Sequence, residues 1–327
     1  MNRKIFNKKG ILLVNLGTPE QPKAGPVRRY LRKFLGDRRV IDMPLVPWWL
    51  ILNLMILPTR PKHSAELYQK IWSDEKGSPL LYYTQRQATQ LQEKFPDQMV
   101  RYAMCYSKPF VPDILSEMMA LVMEELTVIP MYPQYSQTTV APVFDQVSDY
   151  FKDKANIPQI YFQQSFYREP LYIKYMADQI KAELAHEKYD KIIFSYHGIP
   201  QKYVKHGDPY PKQCDETARQ VMELIGDFPY LQTYQSKFGP SEWLTPATAD
   251  IMKKLPQQGN KRILVLTPAF VADCLETLEE IEHENRDYFM ENGGEIFTYL
   301  HPLNDSPVFT DLLEKIVLDH ETGKEHH

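Results

Sequence analysis

The chain has 327 residues, 43% of them hydrophobic, and a formal net charge of −4. Its length calls for two domains, since single cores stop growing well short of it, and the lack of a global basic field argues against nucleic acid as the main partner. The three separated cysteines, Cys105, Cys214 and Cys274, build neither a disulfide framework nor a four-cysteine zinc or iron–sulfur site, and the charged start lacks an apolar h-region, so the expectation is a reduced, cytoplasmic protein.

The first predicted strand, Ile11–Leu16, runs into Gly17-Thr18-Pro19. The segment Val27 to Leu35 places apolar residues at 27, 30, 31, 34 and 35 with basic residues between them, as in an amphipathic surface helix. Next comes the most apolar stretch of the chain, Met43 to Pro58 (MPLVPWWLILNLMILP). Broken by prolines and an asparagine, it falls short of the ~20 apolar residues that span a bilayer. It suits an apolar lip over a cleft or a peripheral membrane contact, with a buried helix packed on the sheet as the plainer reading. Arg60 and Lys62 just beyond it suit anionic substrate groups or lipid headgroups.

Three more strands follow, Met99–Met104, Thr127–Met131 and Gln159–Phe162. The loop Tyr132–Thr139, with Tyr135 in it, carries aromatics, amides and hydroxyls, which line a flat aromatic ligand or simply cap the sheet. The second half repeats the pattern with Ile192–Tyr196, Tyr230–Tyr234, Arg262–Thr267 and Glu295–Tyr299, then an amphipathic helix after Pro307. The repeat is local as well: ILLVNLGTP at 11–19 lies over IIFSYHGIP at 192–200, and Ser107-Lys108 over Ser236-Lys237. The first half carries about fifty residues more between its first two strands, the apolar stretch among them. Strands alternating with helices call for parallel sheets with right-handed crossovers, so the fold expected is α/β with two similar doubly wound lobes.

Two strand ends carry candidate chemistry. His197 follows Ile192–Tyr196 in a turn made rigid by Gly198 and Pro200, at the carboxyl end of a strand, where open α/β sheets place their sites. Glu276, Glu280 and Glu284, spaced i, i+4, i+8 on a predicted helix, form a carboxylate ladder with Glu279 and His283 alongside. On an exposed face this is a solvated acidic stripe. Facing a cleft, such carboxylates raise one another's pKa, take up protons or bind a divalent cation, and imidazole with carboxylate suits Fe(II) or Zn(II). Cys274 is a soft ligand or a small buried thiol. No Gly-x-Gly-x-x-Gly or Walker A loop is present, so no nucleotide is expected.

Taken in order, VNLGTP at 14–19, KGSPL at 76–80, MYPQYS at 131–136, SYHGIP at 195–200, GDPY at 207–210, YQSKFGP at 234–240 with Trp243-Leu244, and FVADCLETL at 270–278 resemble the ferrochelatases nearly end to end. The resemblance implies a lyase of haem biosynthesis that inserts ferrous iron, its substrate, into a porphyrin. It also implies a chelatase-like fold of two Rossmann-like lobes around a porphyrin cleft, each a four-stranded parallel sheet flanked by helices. The first lobe takes 8–165 plus 303–322, with an insertion over about 40–85. The second takes 166–302.

By the same resemblance His197 and Glu276 are the essential pair, binding iron or taking up pyrrole protons. Glu280 and Glu284 form an acidic metal or proton track behind Glu276. Leu16, Tyr68, Ser78 and Tyr135 lie near the porphyrin, with Leu16 on the wall opposite His197. Arg60 and Lys62 stand near the propionates, although the spacing around Pro61 differs by about one residue. Cys274 stands where many relatives carry a second histidine, and the carboxyl-terminal cysteines that hold an iron–sulfur cluster in animal relatives are absent. Cys274 and the run LETLEE favour protoporphyrin IX as substrate. The alternatives are coproporphyrin III, a cobalt or iron chelatase for a reduced tetrapyrrole, and a carrier without turnover.

Overall fold

The computed structural model describes residues 8–323, so His326 and His327 lie outside the described residues. Eight strands form: β1 (Lys9–Asn15), β2 (Met99–Met104), β3 (Glu125–Pro130), β4 (Gln159–Phe162), β5 (Lys191–His197), β6 (Tyr230–Gln235), β7 (Arg262–Leu266) and β8 (Ile296–Leu300). They build two four-stranded sheets of order β2-β1-β3-β4 and β6-β5-β7-β8, parallel throughout. The sequence repeat is therefore a repeat of topology.

The central strands read as unbroken apolar runs because helices cover both faces of such a sheet. Ile11, Leu12, Leu13 and Val14 of β1 are all 0% exposed, as are Ile192, Ile193 and Phe194 of β5. Each such side chain stabilises the fold by roughly 1.5–3 kcal/mol relative to exposure. β1 ends at Asn15 rather than at Leu16, since the Leu16 amide bonds to the Asn15 side chain at 2.8 Å.

The chain divides into two compact units. The first takes the chain up to Tyr132, Ser136–Ser165, and everything from Asp305 on. The second takes Pro133–Tyr135 and Phe166–Asn304. Pro133–Tyr135 groups with the second unit, not with the first as read from sequence, because its hydrogen bonds lie there. Gln134 donates to Thr217 at 3.0 Å, the Tyr135 amide to Gln213 at 2.7 Å, and the Phe166 amide to the Pro133 carbonyl at 2.9 Å. The last helix, Pro307–Thr322, is capped by Ser306 and carries Pro at its first position. It joins the first unit through buried Phe309, Leu312, Leu313 and Ile316 and through Lys94, which bonds Asp311 at 2.8 Å and Glu314 at 2.9 Å.

The inserted apolar stretch folds as a short helix, Leu45–Leu50, a π-helix, Ile51–Ile56, and a longer helix, Leu57–Ile71, with Pro61 inside it. One side is anchored: Trp48 is buried and donates its indole N–H to the Leu35 carbonyl at 2.7 Å, while Leu52 and Leu57 are buried beside it. The other side is open, with Leu45, Val46, Trp49, Leu54 and Met55 all exposed. It is thus neither a fully buried helix nor a span. No helix among the described residues is long and apolar enough to cross a membrane.

Candidate active site

β5 carries Ser195, buried Tyr196 and His197 to its carboxyl end, where His197 pairs in register with Gln235, the last residue of β6. The chain then turns at Gly198, whose amide bonds the Gln235 carbonyl at 2.8 Å. A Cβ on Gly198 would lie 2.9 Å from that oxygen and 3.2 Å from Cε3 of Trp243, so only glycine fits. Gly17, its counterpart after β1, is held the same way: a Cβ there would meet Ser107 Oγ at 2.7 Å. The His197 ring stays half-buried, with Nδ1 2.7 Å from the Gly198 carbonyl. A carbonyl only accepts, so Nδ1 carries a proton, and in the neutral tautomer this leaves the lone pair on Nε2.

Gln235 joins this turn to the acidic helix. Its Oε1 accepts from Ser195 Oγ at 2.9 Å, which fixes the amide, and its Nε2 donates to the main-chain carbonyl of Glu276 at 2.8 Å and to Glu280 Oε2 at 3.3 Å. Next to it Ser236 sits in the left-handed region at φ 63°. That conformation is costly for a non-glycine residue. It aims the Ser236 amide at Glu280 Oε1, 2.6 Å away, and the Ser236 hydroxyl at Oε2. Sequence reading singled out His197, Glu276 and Glu280 but missed Gln235 and Ser236 as site residues. The Ser-Lys step shared by positions 107 and 236 was the available signal.

The acidic segment is a π-helix, Glu276–Asn285, rather than an α-helix. Its amides reach five residues back, as the Arg286 amide does to the Ile281 carbonyl, and such turns recur at functional sites. Glu276 and Glu280 are half-buried; Glu284 is exposed and accepts from Tyr288 Oη at 2.6 Å; Glu279 is buried away from the ladder. Glu284 is thus the solvent-exposed member of the three, with Glu276 and Glu280 both half-buried. Burial, opposed by the Ser236 hydrogen bonds and by His197, holds the Glu280 carboxyl above the usual range. Cys274 is buried, and burial together with the charge of Glu276 pushes its thiol up. A protonated thiol is a poor metal ligand.

Of the remaining sequence candidates, Leu16, Tyr68, Ser78, Arg60 and Lys62 belong to the first unit and Tyr135 to the second. Leu16 follows β1 in the first unit, half-buried, with its carbonyl taken by the Tyr106 amide at 3.0 Å. Ser78 is buried and donates to Thr18 Oγ1 at 2.8 Å; Tyr68 is buried edge-on to Trp72; Arg60 and Lys62 are exposed on either side of buried Pro61. Tyr135 is half-buried in the second unit. The turn at 206–210 is a structural one: Asp208 is buried and accepts from the Tyr210 amide at 3.0 Å, and His206 is exposed. Among the described residues no group of three or more His, Cys, Asp or Glu side chains is placed to hold a metal ion.

The turn of His197 and the first turn of the acidic helix are thus joined through Gln235, with the Glu280 carboxyl, raised by burial, hydrogen-bonded to the same strand end. The ferrochelatase family model matches residues 8–321. The chain belongs to the ferrochelatase family. A protein of Enterococcus faecalis named coproporphyrin III ferrochelatase is 53% identical over 312 residues, covering 95% of this chain and 99% of the relative. One of Lactococcus lactis with the same name is 49% identical, covering 95% and 98%. One of Hamiltonella defensa named ferrochelatase is 45% identical, covering 96% and 99%. In fold the chain is similar to SirB from Bacillus subtilis, at a TM-score of 0.58 and 7% identity over 97% of this chain and 98% of that one. CbiX, the terminal enzyme of sirohaem biosynthesis in denitrifying bacteria, follows at 0.51 and 12%, covering 94% and 98%. This ferrochelatase is thus a lyase of haem biosynthesis whose substrates are a porphyrin and ferrous iron.

Proposed function

We propose that this ferrochelatase inserts Fe(II) into coproporphyrin III, with His197 and Glu276 as the residues that meet the reacting centre. The observation that carries the substrate is the naming of the relatives at 53% and 49% identity. The protoporphyrin IX expected from Cys274 and the LETLEE run yields to it. Cys274 is a buried, protonated thiol and carries no information about the propionates at the porphyrin rim. Protoporphyrin IX is the second reading, since the 45% identical relative is named ferrochelatase with no porphyrin specified.

The chemistry follows from what a porphyrin demands. Two pyrrole protons leave as four nitrogens take the metal, so a base must stand at the macrocycle and a path must carry protons away. Nε2 of His197 is the base. Glu276 meets the iron or the second proton, and Glu280, whose carboxyl retains a proton more readily than an ordinary one, passes it on to exposed Glu284. Nucleophile-free catalysis of this kind rests on positioning, which Gln235 and Ser236 supply. In the first unit Leu16, Tyr68 and Ser78 are proposed as porphyrin-side residues and Arg60 and Lys62 as partners of propionates, with Tyr135 in the second. The exposed apolar face of 43–58 is assigned to the flat macrocycle rather than to a bilayer, and the reaction is placed in the cytoplasm.

The test is anaerobic turnover of Fe(II) with each porphyrin. A kcat/KM higher for coproporphyrin III by roughly tenfold or more supports the reading. A preference of the same size for protoporphyrin IX reverses it.

A further inference from the structure

The turn from which Glu276 projects is tied down by a group that the site above does not use. Asp273, three residues ahead of Glu276, is 3% exposed, yet its carboxylate is fully engaged. Oδ1 accepts from Thr277 Oγ1 at 2.9 Å, and Oδ2 accepts from Asn304 Nδ2 at 2.7 Å and from His301 Nδ1 at 3.0 Å. Asn304 returns the contact through Oδ1, which accepts the Asp273 amide at 2.8 Å, and its own amide bonds the Val271 carbonyl at 3.0 Å. The segment entering the π-helix is therefore clamped to the loop after β8 from both main chain and side chain.

His301 is the partner of Asp273 in this clamp that can carry a positive charge. Its ring packs edge-on to Tyr299, centroids 4.9 Å apart, and its Nε2 lies 4.0 Å from Glu282 Oε1 on the π-helix. From helix Pro170–His186, Tyr172 and Tyr175 line the same shallow pocket as His301; the Tyr172 hydroxyl donates to the Pro268 carbonyl, and burial keeps it neutral. The groups facing the imidazole are thus two carboxylates, Asp273 and Glu282, and the phenols of Tyr172, Tyr175 and Tyr299. A buried carboxylate without a compensating charge is expensive, so Asp273 and the turn it anchors are best held while His301 is protonated.

We propose that His301 is a positioning residue for metal insertion, holding through Asp273 the turn that presents Glu276. The proposal rests on the reading of Glu276 as catalytic. The hydrogen bond to Asp273, with the charges of Asp273 and Glu282 and against the cost of burial, raises the His301 pKa from its usual 6.5. The sign follows: a raised histidine supplies its stabilisation below the ordinary value and loses it as pH rises through the shifted one. The clamp is tight below the ordinary histidine value and loosens as pH rises through the shifted one.

The experiment compares wild type, His301→Ala, His301→Asn and Glu276→Gln by kcat and porphyrin KM across pH, with melting temperature alongside. Asn places a neutral donor where Nδ1 stood. The expected result is a kcat lower by roughly tenfold in His301→Ala with porphyrin KM within about twofold. His301→Asn recovers most of kcat but lacks the alkaline limb of the wild-type profile. In the free protein, His301 followed by NMR titrates above 6.5 and falls toward it in Asp273→Asn. A His301→Ala profile that overlays wild type while Glu276→Gln is inactive overturns the positioning role and leaves the site intact. Wild-type turnover in Glu276→Gln removes the site and the proposal with it. Parallel loss of kcat, porphyrin affinity and melting temperature in both His301 variants makes the pair merely structural and also overturns it.

Discussion

Gln235 Nε2 donates to the main-chain carbonyl of Glu276 at 2.8 Å while the Gln235 carbonyl accepts the amide of Gly198. One residue at the end of β6 therefore sets both the turn that presents His197 and the first turn of the π-helix that presents Glu276. Replacing it with Leu leaves Ser195 and the Glu276 carbonyl without this partner, in a place water does not readily reach. Gln235→Leu is expected to cost about 1–3 kcal/mol of stability. It should also cost on the order of a hundredfold in kcat through misplacement of Glu276. Urea unfolding and steady-state kinetics on the same preparation check both; unchanged kcat would separate the two elements.

Gly198→Ala tests the turn from the other side. The added methyl must displace the Gln235 carbonyl, 2.9 Å away, or the Trp243 ring. The expected loss is about 1–3 kcal/mol, with turnover falling more than porphyrin binding. A variant with wild-type melting and turnover would show that the turn yields freely.

Glu280→Gln should gain stability as it loses activity. The Glu280 carboxyl is raised above its ordinary 4.5, chiefly by burial, so its neutral form favours the folded state. That contribution is complete below the ordinary value and is lost as pH rises through the shifted one, which makes the ionised side chain a cost at neutral pH. Gln has no such cost: its oxygen still accepts the Ser236 amide and its amide nitrogen donates to the Ser236 hydroxyl oxygen, which reverses that bond, at the expense of the long 3.3 Å contact from Gln235. The melting temperature of Glu280→Gln is expected to exceed wild type by a few degrees, for roughly 1 kcal/mol, with the gap closing toward acid pH. A gap that widens on acidification would contradict the burial argument.

The exposed side chains of the inserted stretch make a cleaner target than its buried ones. Trp49 and Leu54 are 59% and 65% exposed, whereas Trp48 is anchored to the Leu35 carbonyl. Trp49→Ser with Leu54→Ser should raise porphyrin KM by roughly tenfold with melting nearly unchanged. Trp48→Ala should cost about 3–5 kcal/mol. Equal porphyrin KM in the surface variant would remove the segment from the substrate's binding surface.

The fold was legible because both signals it rests on are local. Apolar runs such as ILLV and IIF are what strands covered on both faces require, and the glycine-proline register between 11–19 and 192–200 fixed the repeat. His197 and Glu276 stood out as candidates because strand ends and helix starts are where such sheets carry chemistry, and the structure joins their two turns through Gln235. What escaped was tertiary. The π-helical turn of Glu276–Asn285 leaves no mark in residue spacing that an α-helix would not also leave. The left-handed backbone of Ser236 belongs to a residue type that does not advertise it. His301 and Asn304 reach Asp273 from 28 and 31 residues away, a distance over which sequence pattern says nothing.

The measurement that bears most directly on the site is single-turnover insertion of Fe(II) into coproporphyrin III by wild type, His197→Ala and Glu276→Gln, with porphyrin binding followed in parallel. The account predicts that both variants bind the porphyrin within about threefold of wild type and lose insertion by on the order of a thousandfold. Insertion at the wild-type rate in either variant would contradict the pair, and loss of binding in step with insertion would make them porphyrin anchors instead.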